Sequence, residues 1–195
     1  MSVLVSMAAF ALATSITPGP VNVVALSSGV RYGLRASLWH VTGATLGFTL
    51  LLLLIGLGLH ELLARWPFLT QAIQWGGCVF LLFMAYKLAV DNGAVDTKSS
   101  AKRPSMIYGA LMQWLNPKAW MACVAGTGVF ASNGEAPLVW FFAAVYFVVC
   151  WSSIACWAYA GSFLRHYLEN PRGMRLFNRT MAVLLAVSAL YLLLP

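Results

Sequence analysis

The chain has 195 residues, of which 61% are hydrophobic and only 9% charged, and its mean hydropathy is +0.81. Because a soluble domain carries roughly a quarter of charged residues, this composition excludes a water-soluble fold. We expect an all-α integral membrane protein with a single transmembrane domain over residues 1–195. The net charge of +7 raises nucleic acid or anionic lipid as partners, and the positions of the basic residues decide against nucleic acid.

The apolar stretches predict six membrane-spanning helices, since a bilayer core needs about 20 apolar residues per helix. In chain order the spans cover residues 1–30, 36–59, 68–90, 105–132, 136–164 and 175–194. The first span contains Pro18-Gly19-Pro20, and the fourth contains Asn116-Pro117-Lys118. Because proline cannot donate to the helical ladder, we expect both spans to be broken helices.

The basic residues of the loops predict the orientation. Nine of them follow spans one, three and five, whereas Arg65 stands alone on the other side. The positive-inside rule places the nine in the cytoplasm and both termini outside. The net charge is therefore a signal of membrane topology, and no nucleic-acid partner is predicted.

The chain divides into two halves with similar openings. Cutting at a cytoplasmic linker, residues 91–104, gives repeat one, residues 1–90, and repeat two, residues 105–195. Each repeat has three spans, so the second is inverted relative to the first. Both breaks fall near the membrane midplane at a rise of 1.5 Å per residue. Two inverted three-helix repeats with broken first helices are typical of transporters that bind substrate at the breaks.

The first break offers groups for both ends of a zwitterionic amino acid. The half-helix that begins at Pro20 presents unpaired N–H groups and a positive dipole end, which favour a carboxylate. Backbone carbonyls freed by the prolines favour an ammonium group, together with nearby polar side chains. The predicted substrate-binding residues of this break are Thr14, Thr17, Pro18, Gly19, Pro20 and Asn22.

The second break adds Lys118, whose charge near mid-bilayer costs about 2.5–3.5 kcal/mol and marks it as a functional candidate. We expect it to bind the carboxylate; the alternative is that it neutralises the half-helix ending at Asn116. Gln113, Asn116 and Pro117 belong to the same predicted site, where Gln113 and Asn116 contact substrate or join helices.

Proton coupling has two candidates. No Asp or Glu lies in the middle of a span, so His40, near one end of span two, or Lys118 would have to titrate. Facilitated diffusion without protons stays an alternative.

Metal and cofactor sites are not predicted. The four cysteines lie in apolar stretches, and none forms a CxxC pair or a zinc-ligand spacing. Gly43-x-x-x-Gly47 permits close helix contact and favours packing within the protomer over a homodimer.

Two segments carry a resemblance to a known family. TPGPVNVVALSSGVRYGLRASLWHVTGATLG, Thr17–Gly47, resembles the opening signature of the lysine-exporter and homoserine-threonine-resistance (LysE/RhtB) family. QWLNPKAW, Gln113–Trp120, is similar to its second signature. In the family two asparagines follow TPGP, whereas Val21 replaces the first of them here and leaves the particular substrate open.

The resemblance implies an inner-membrane exporter of amino acids or their derivatives, not an enzyme, driven by the proton-motive force, with both termini in the bacterial periplasm. The compact third loop and uncharged helices are similar to the branch that exports cysteine, O-acetylserine, homoserine or threonine. We therefore predict an exporter of neutral or polar amino acids working by alternating access, with the lipid bilayer, a small amino acid and protons as partners.

Two other classes of membrane protein are alternatives. A membrane thiol-disulfide carrier would need a cysteine in the opening helix of each half, and span one has none, although span four has Cys123. The second class is a non-transporting membrane component, such as an assembly factor or an ion pore. The helices offer no ring of charged residues to select ions, which argues against the pore.

Overall fold

The computed structural model describes residues 2–59, 65, 67–91, 105–131, 135–168 and 170–191. Regular structure in these residues is entirely helical, which confirms the predicted all-α class for this part of the chain. The eight α-helices are α1 Val3–Ile16, α2 Pro20–Tyr32, α3 Leu34–Leu54, α4 Pro67–Ala89, α5 Met106–Trp114, α6 Pro117–Phe130, α7 Ala136–Leu164 and α8 Pro171–Tyr191. A π-helical turn, Ile55–Leu59, ends α3, and a 3₁₀ turn, Arg165–Tyr167, follows α7. Residues 92–104 of the predicted linker lie outside the described residues.

Both predicted breaks are present. The axis of α2 is bent 64° from that of α1, and Thr17 and Gly19 between them have extended backbone. In the second break, Asn116 is extended and caps α6. Pro20 and Pro117 are each the first residue of the following helix, where a missing N–H costs nothing.

Membrane crossing is supported by length and apolar composition for part of the predicted set. Among the described residues, Leu34–Gly58 and Ala136–Tyr167 are long and apolar enough to cross a bilayer, and the bent pair α1–α2 makes a third span if it acts as one. In α4 the apolar part is shorter, Trp75–Ala89. The chain is thus a multi-pass helical membrane protein, and the count of six spans remains a prediction.

The helices form two packed groups. The larger core joins α1, α2, α3, α5, α6 and α7, with α7 packed along both halves of the first broken helix. A smaller cluster joins α4 and α8 and includes Val23 of α2. Residues next to both breaks, Val21 of α2 and Ala119 of α6, belong to the larger core, whereas Thr17 and Pro18 of the first break are exposed.

Small residues bring α3 and α5 into backbone contact. A Cβ added to Gly43 would lie 2.0 Å from the carbonyl oxygen of Met106, and one added to Gly47 would lie 2.6 Å from the Cα of Ala110. Packing of the Gly43-x-x-x-Gly47 pair within the protomer is therefore confirmed.

Candidate functional site

The first break leaves carbonyl groups at the end of α1 without helical donors, and side chains supply donors instead. Thr17 Oγ1 donates to the carbonyl oxygens of Ala13 at 3.0 Å and Thr14 at 3.3 Å. Trp157 of α7 donates its indole N–H to the carbonyl oxygen of Ile16 at 3.0 Å. The broken end of α1 is therefore held by specific hydrogen bonds from side chains.

Asn22 closes the break from the side of α2. Its side-chain amide donates to the carbonyl oxygens of Ser15 at 2.9 Å and Thr17 at 2.8 Å, and the residue is only 5% exposed. These two bonds bind the start of α2 to the end of α1. The amide nitrogen thus holds the break together, and the amide oxygen is the atom that could accept an ammonium group.

Lys118 joins the second break to the first. Its Nζ donates to Thr17 Oγ1 at 2.8 Å and to the carbonyl oxygen of Thr17 at 3.0 Å, and lies 3.5 Å from the carbonyl oxygen of Pro18. Lys118 is the second residue of α6, where the helix dipole disfavours a cation, but its ammonium reaches the C-terminal end of α1, where the dipole favours one. The structure thus places its charge against α1, and not against the half-helix that ends before Asn116.

Asn116 and Gln113 shape the second break. Asn116 Oδ1 accepts the backbone N–H of Lys118 at 3.2 Å and so caps α6. Gln113 is 5% exposed, and its side-chain amide makes no hydrogen bond to any residue that the structure describes. A buried amide without a partner beside a cavity can receive a ligand group.

The N-terminus of α2 has no side-chain cap. Gly19 occupies the capping position with extended backbone, which any residue can adopt, and Pro20 follows as the first helical residue. A Cβ on Gly19 would lie 3.4 Å from Lys118 Nζ. The first N–H groups of α2 therefore remain available to an anion beside the ammonium of Lys118.

A cavity of about 40 Å³ lies between the two breaks. Its polar wall includes Gly19, Asn22, Gln113, Asn116 and Lys118, and its remaining wall includes Val21, Phe48, Tyr146, Cys150 and Ile154. This volume holds roughly three water molecules, fewer heavy atoms than glycine has, so an amino acid requires a wider conformation.

The predicted site residues divide into three groups. Thr14, Gly19, Asn22, Gln113, Asn116 and Lys118 line the cavity. Thr17 and Pro18 contact Lys118, and Pro20 and Pro117 begin the two half-helices without lining the cavity. The structure therefore brings the two sequence signatures together around one space.

Tyr146 of α7 was missed by the sequence interpretation. Its hydroxyl pairs with Thr14 Oγ1 at 2.6 Å, its ring stacks on Phe48 with centroids 4.3 Å apart, and the residue is 1% exposed. The available signal was a tyrosine in the middle of an uncharged span, since its hydroxyl needs a partner in apolar surroundings. Phe48, Cys150 and Ile154 carry no such signal.

His40 lies behind the cavity wall rather than in it. It is fully buried, and neither ring nitrogen has a hydrogen bond of ordinary geometry among the described residues. The backbone of Val21 lies beside it, and the centroid of the Tyr108 ring lies 6.0 Å from that of the imidazole. Since Val21 also lines the cavity, one residue separates His40 from the candidate binding space.

Metal ligands do not gather anywhere in the described part of the chain, and the four cysteines are unpaired thiols.

Comparison with known proteins gives a family and a set of relatives. The chain matches the family model described as LysE type translocator over residues 12–195. It is similar to the cysteine/O-acetylserine efflux protein of Salmonella typhi, with 26% identity over 93% of this chain and 91% of that protein. The cysteine/O-acetylserine efflux protein of Escherichia coli (strain K12) is 27% identical over the same shares. No solved structure gives a significant match.

Proposed function

The chain belongs to the LysE type translocator family, and from this membership we propose that it exports small neutral amino acids or their derivatives across the bacterial inner membrane. Family membership makes it a membrane transporter of amino acids and not an enzyme. The relatives named above are efflux proteins for cysteine and O-acetylserine, which supports a substrate of that size and charge.

The observation that carries this proposal is the contact between Lys118 and Thr17. It unites the break of one half with the break of the other around a single cavity. The uncapped N-terminus of α2 and the ammonium of Lys118 supply two positive groups for a substrate carboxylate. Movement of the two half-helices at this cavity then alternates its access between the two sides of the membrane.

The lining of the cavity favours an uncharged substrate side chain. Among the described residues that line it, Lys118 carries the only full charge, and no Asp or Glu is present. An acidic or basic substrate side chain would lose its hydration without gaining a counter-charge. Cysteine, O-acetylserine, homoserine and threonine satisfy this condition.

The packing of the helices supports two inverted repeats. The first broken helix, α1–α2, packs on α7, the second span of repeat two; in the same way α5 packs on α3, the second span of repeat one. The third spans of the two repeats, α4 and α8, pack on each other. An inversion that exchanges the two repeats turns the first of these helix contacts into the second, and leaves the contact between α4 and α8 unchanged.

Contacts at one end of the bundle support the proposed orientation. Arg31 forms an ion pair with Asp91 at 2.6 Å, and the guanidinium group of Arg165 lies beside Gly33. Segments that the positive-inside rule assigns to the cytoplasm therefore meet at one end, with both termini proposed on the periplasmic side.

We propose that the proton-motive force drives export, with His40 or Lys118 as the group that carries the proton. His40 is fully buried beside the backbone of Val21 and lies one residue behind the cavity. Facilitated diffusion is the competing mode. A homodimer would have to use a surface other than Gly43 and Gly47, which are occupied by α5.

Transport by purified protein in liposomes tests the proposal. Labelled cysteine, O-acetylserine, homoserine and threonine are offered with and without a pH gradient, beside liposomes without protein. We expect saturable uptake of at least one of them, faster under a gradient. Uptake at the protein-free level for all four and for other neutral amino acids would contradict the proposed function.

The same assay separates the thiol-disulfide alternative. A variant with Cys78, Cys123 and Cys156 replaced by alanine keeps only Cys150 of the cavity wall, which cannot form a disulfide within the chain, and should keep its transport activity. Loss of transport on replacing a single cysteine pair, with normal folding, would favour thiol chemistry instead.

A further inference from the structure

We propose that the ammonium of Lys118 occupies the subsite for the α-ammonium of the substrate, and that substrate binds by exchange with it. The substrate ammonium takes the oxygens of Thr17 and Pro18, and the released Lys118 pairs with the substrate carboxylate. This inference rests on the proposed export of amino acids and adds the way in which an amino acid is recognised.

The subsite is built for one ammonium group. An alkylammonium has three N–H donors, and three oxygens of Thr17 and Pro18 lie within 3.5 Å of Lys118 Nζ. They stand at the C-terminal end of α1, where the helix dipole also favours a cation. A single ammonium therefore saturates the site.

An amino acid brings a second ammonium into the same small space. No carboxylate lines the cavity among the described residues, and the oxygens of Thr17 and Pro18, which contact the cavity residue Lys118, already hold an ammonium group. Two ammonium groups in contact would repel each other. Either the substrate ammonium stays without acceptors, or the ammonium of Lys118 moves away from the oxygens of Thr17 and Pro18.

The surroundings allow Lys118 to leave. Gly19 has no side chain where a Cβ would touch the Nζ and Cδ atoms of Lys118, so the lysine chain can turn towards the N-terminus of α2. That position is where a carboxylate would sit. The unpartnered amide of Gln113 lines the same cavity and provides a further donor to that carboxylate.

The exchange explains how binding is coupled to movement. In the conformation described, Lys118 ties the break of repeat one to the break of repeat two. A bound amino acid breaks this contact, because its ammonium takes the oxygens of Thr17 and Pro18 and its carboxylate pairs with Lys118. The two broken helices therefore separate only when the ligand carries both charges. A free α-ammonium becomes a condition for transport.

A first experiment probes the ammonium subsite directly and does not depend on the identity of the substrate. Wild type, Lys118→Met and Lys87→Met are purified in detergent, and the rise in unfolding temperature is measured with ethylammonium chloride against tetramethylammonium chloride at equal ionic strength. Lys87 is a matched control because it lies on the exposed face of α4 above the Phe83 ring. Tetramethylammonium has the charge but no N–H donor.

We expect Lys118→Met to bind ethylammonium about tenfold more tightly than wild type, because its subsite is no longer occupied by the protein's own ammonium. Lys87→Met should respond like wild type. Equal responses of Lys118→Met and wild type would overturn the exchange. Lys118→Gln replaces Lys118→Met if the latter does not fold.

A second experiment uses wild-type liposomes and needs no variant. The N-acetyl derivative of each amino acid that is transported is offered as a competitor; it keeps the carboxylate but has no ammonium. We expect it to compete at least about tenfold less well than the free amino acid. Equal competition would overturn the exchange and leave the export function standing, whereas absence of any amino-acid transport would overturn the export function itself.

Discussion

The side-chain ammonium of Lys118 lies 3.0 Å from the carbonyl oxygen of Thr17, 101 residues earlier in the chain. The contact joins the end of α1 to the start of α6, so two sequence signatures far apart in the chain form one site. It also gives the carbonyl of Thr17, at the broken end of α1, a second donor beside the Asn22 amide. One lysine therefore combines a structural role in the break with a position in the candidate binding cavity.

Replacing Lys118 with methionine should slow export severely. The variant keeps an unbranched side chain one atom shorter than lysine but removes the charge that would pair with the substrate carboxylate. Loss of a charge-assisted hydrogen bond costs about 1.5–3 kcal/mol, or roughly 10- to 100-fold in the initial rate of uptake by liposomes.

Lys87→Met is the control for this prediction and should transport like wild type. Wild-type rates in Lys118→Met, at equal protein incorporation, would remove Lys118 from substrate recognition.

The two breaks could be predicted from the sequence because their cause is local. Pro18, Pro20 and Pro117 lack a backbone N–H wherever the chain folds, and this alone interrupts a helix. The pairing of Lys118 with α1 could not be predicted, since a helix N-terminus gives no indication of which distant carbonyl lies in reach. From the sequence, the half-helix that ends at Asn116 was the alternative partner for the charge of Lys118.

The apolar wall of the cavity was beyond sequence reasoning for a different reason. Phe48, Cys150 and Ile154 belong to spans that are apolar on every side, and hydropathy does not distinguish a residue facing lipid from one facing a cavity. Tyr146 differs from its neighbours by its hydroxyl. Only tertiary packing sets that hydroxyl against Thr14.

Asn22→Leu should destabilise the protein with little change in volume. The variant leaves the carbonyl of Ser15 without its donor, whereas the carbonyl of Thr17 keeps Lys118. An unsatisfied buried acceptor costs about 1–3 kcal/mol, which should appear as a lower unfolding temperature of the purified protein.

Asn178→Leu is a matched control, because Asn178 is similarly buried in α8 and makes no hydrogen bond to the described residues. It should unfold at or above the wild-type temperature. If Asn22→Leu were as stable as Asn178→Leu, the two bonds across the break would contribute nothing.

Tyr146→Phe should weaken substrate binding more than it weakens the fold. The ring keeps its stacking on Phe48, and Thr14 Oγ1 keeps its bond to the carbonyl of Phe10 at 2.7 Å, so stability should fall by only about 1 kcal/mol. Because the hydroxyl stands in the cavity wall, we expect a higher KM in liposome uptake. Tyr159→Phe, on the exposed surface of the same helix, should leave KM unchanged; equal KM in both variants would exclude Tyr146 from the binding surface.

Gly43→Ala should separate α3 from α5. The new Cβ would lie 2.0 Å from the carbonyl oxygen of Met106, and backbone cannot move aside as a side chain does. Overpacking of this kind costs about 1–3 kcal/mol or more and should lower the yield of folded protein.

Gly128→Ala in α6 is the control, because the added Cβ meets nothing within 4 Å, and it should stabilise the folded protein by about 0.5–1 kcal/mol. Comparable behaviour of the two variants in thermal unfolding would show that the α3–α5 contact is loose.

His40→Gln should make uptake insensitive to the pH gradient without stopping substrate exchange. His40 is fully buried, and the groups that face it are the backbone of Val21 from α2 and the ring of Tyr108 from α5, whose hydroxyl donates to Met84 Sδ. Glutamine fills similar space but cannot change its charge, so a proton carried by His40 would no longer accompany transport. We expect uptake driven by a pH gradient to fall to the rate measured without one, while exchange of labelled for unlabelled substrate continues.

His166→Gln, beyond the end of α7 and exposed, should keep its response to the gradient. A full gradient response in His40→Gln would assign proton coupling to Lys118, because no other titratable side chain of the described residues both lines the cavity and carries a charge that substrate displaces.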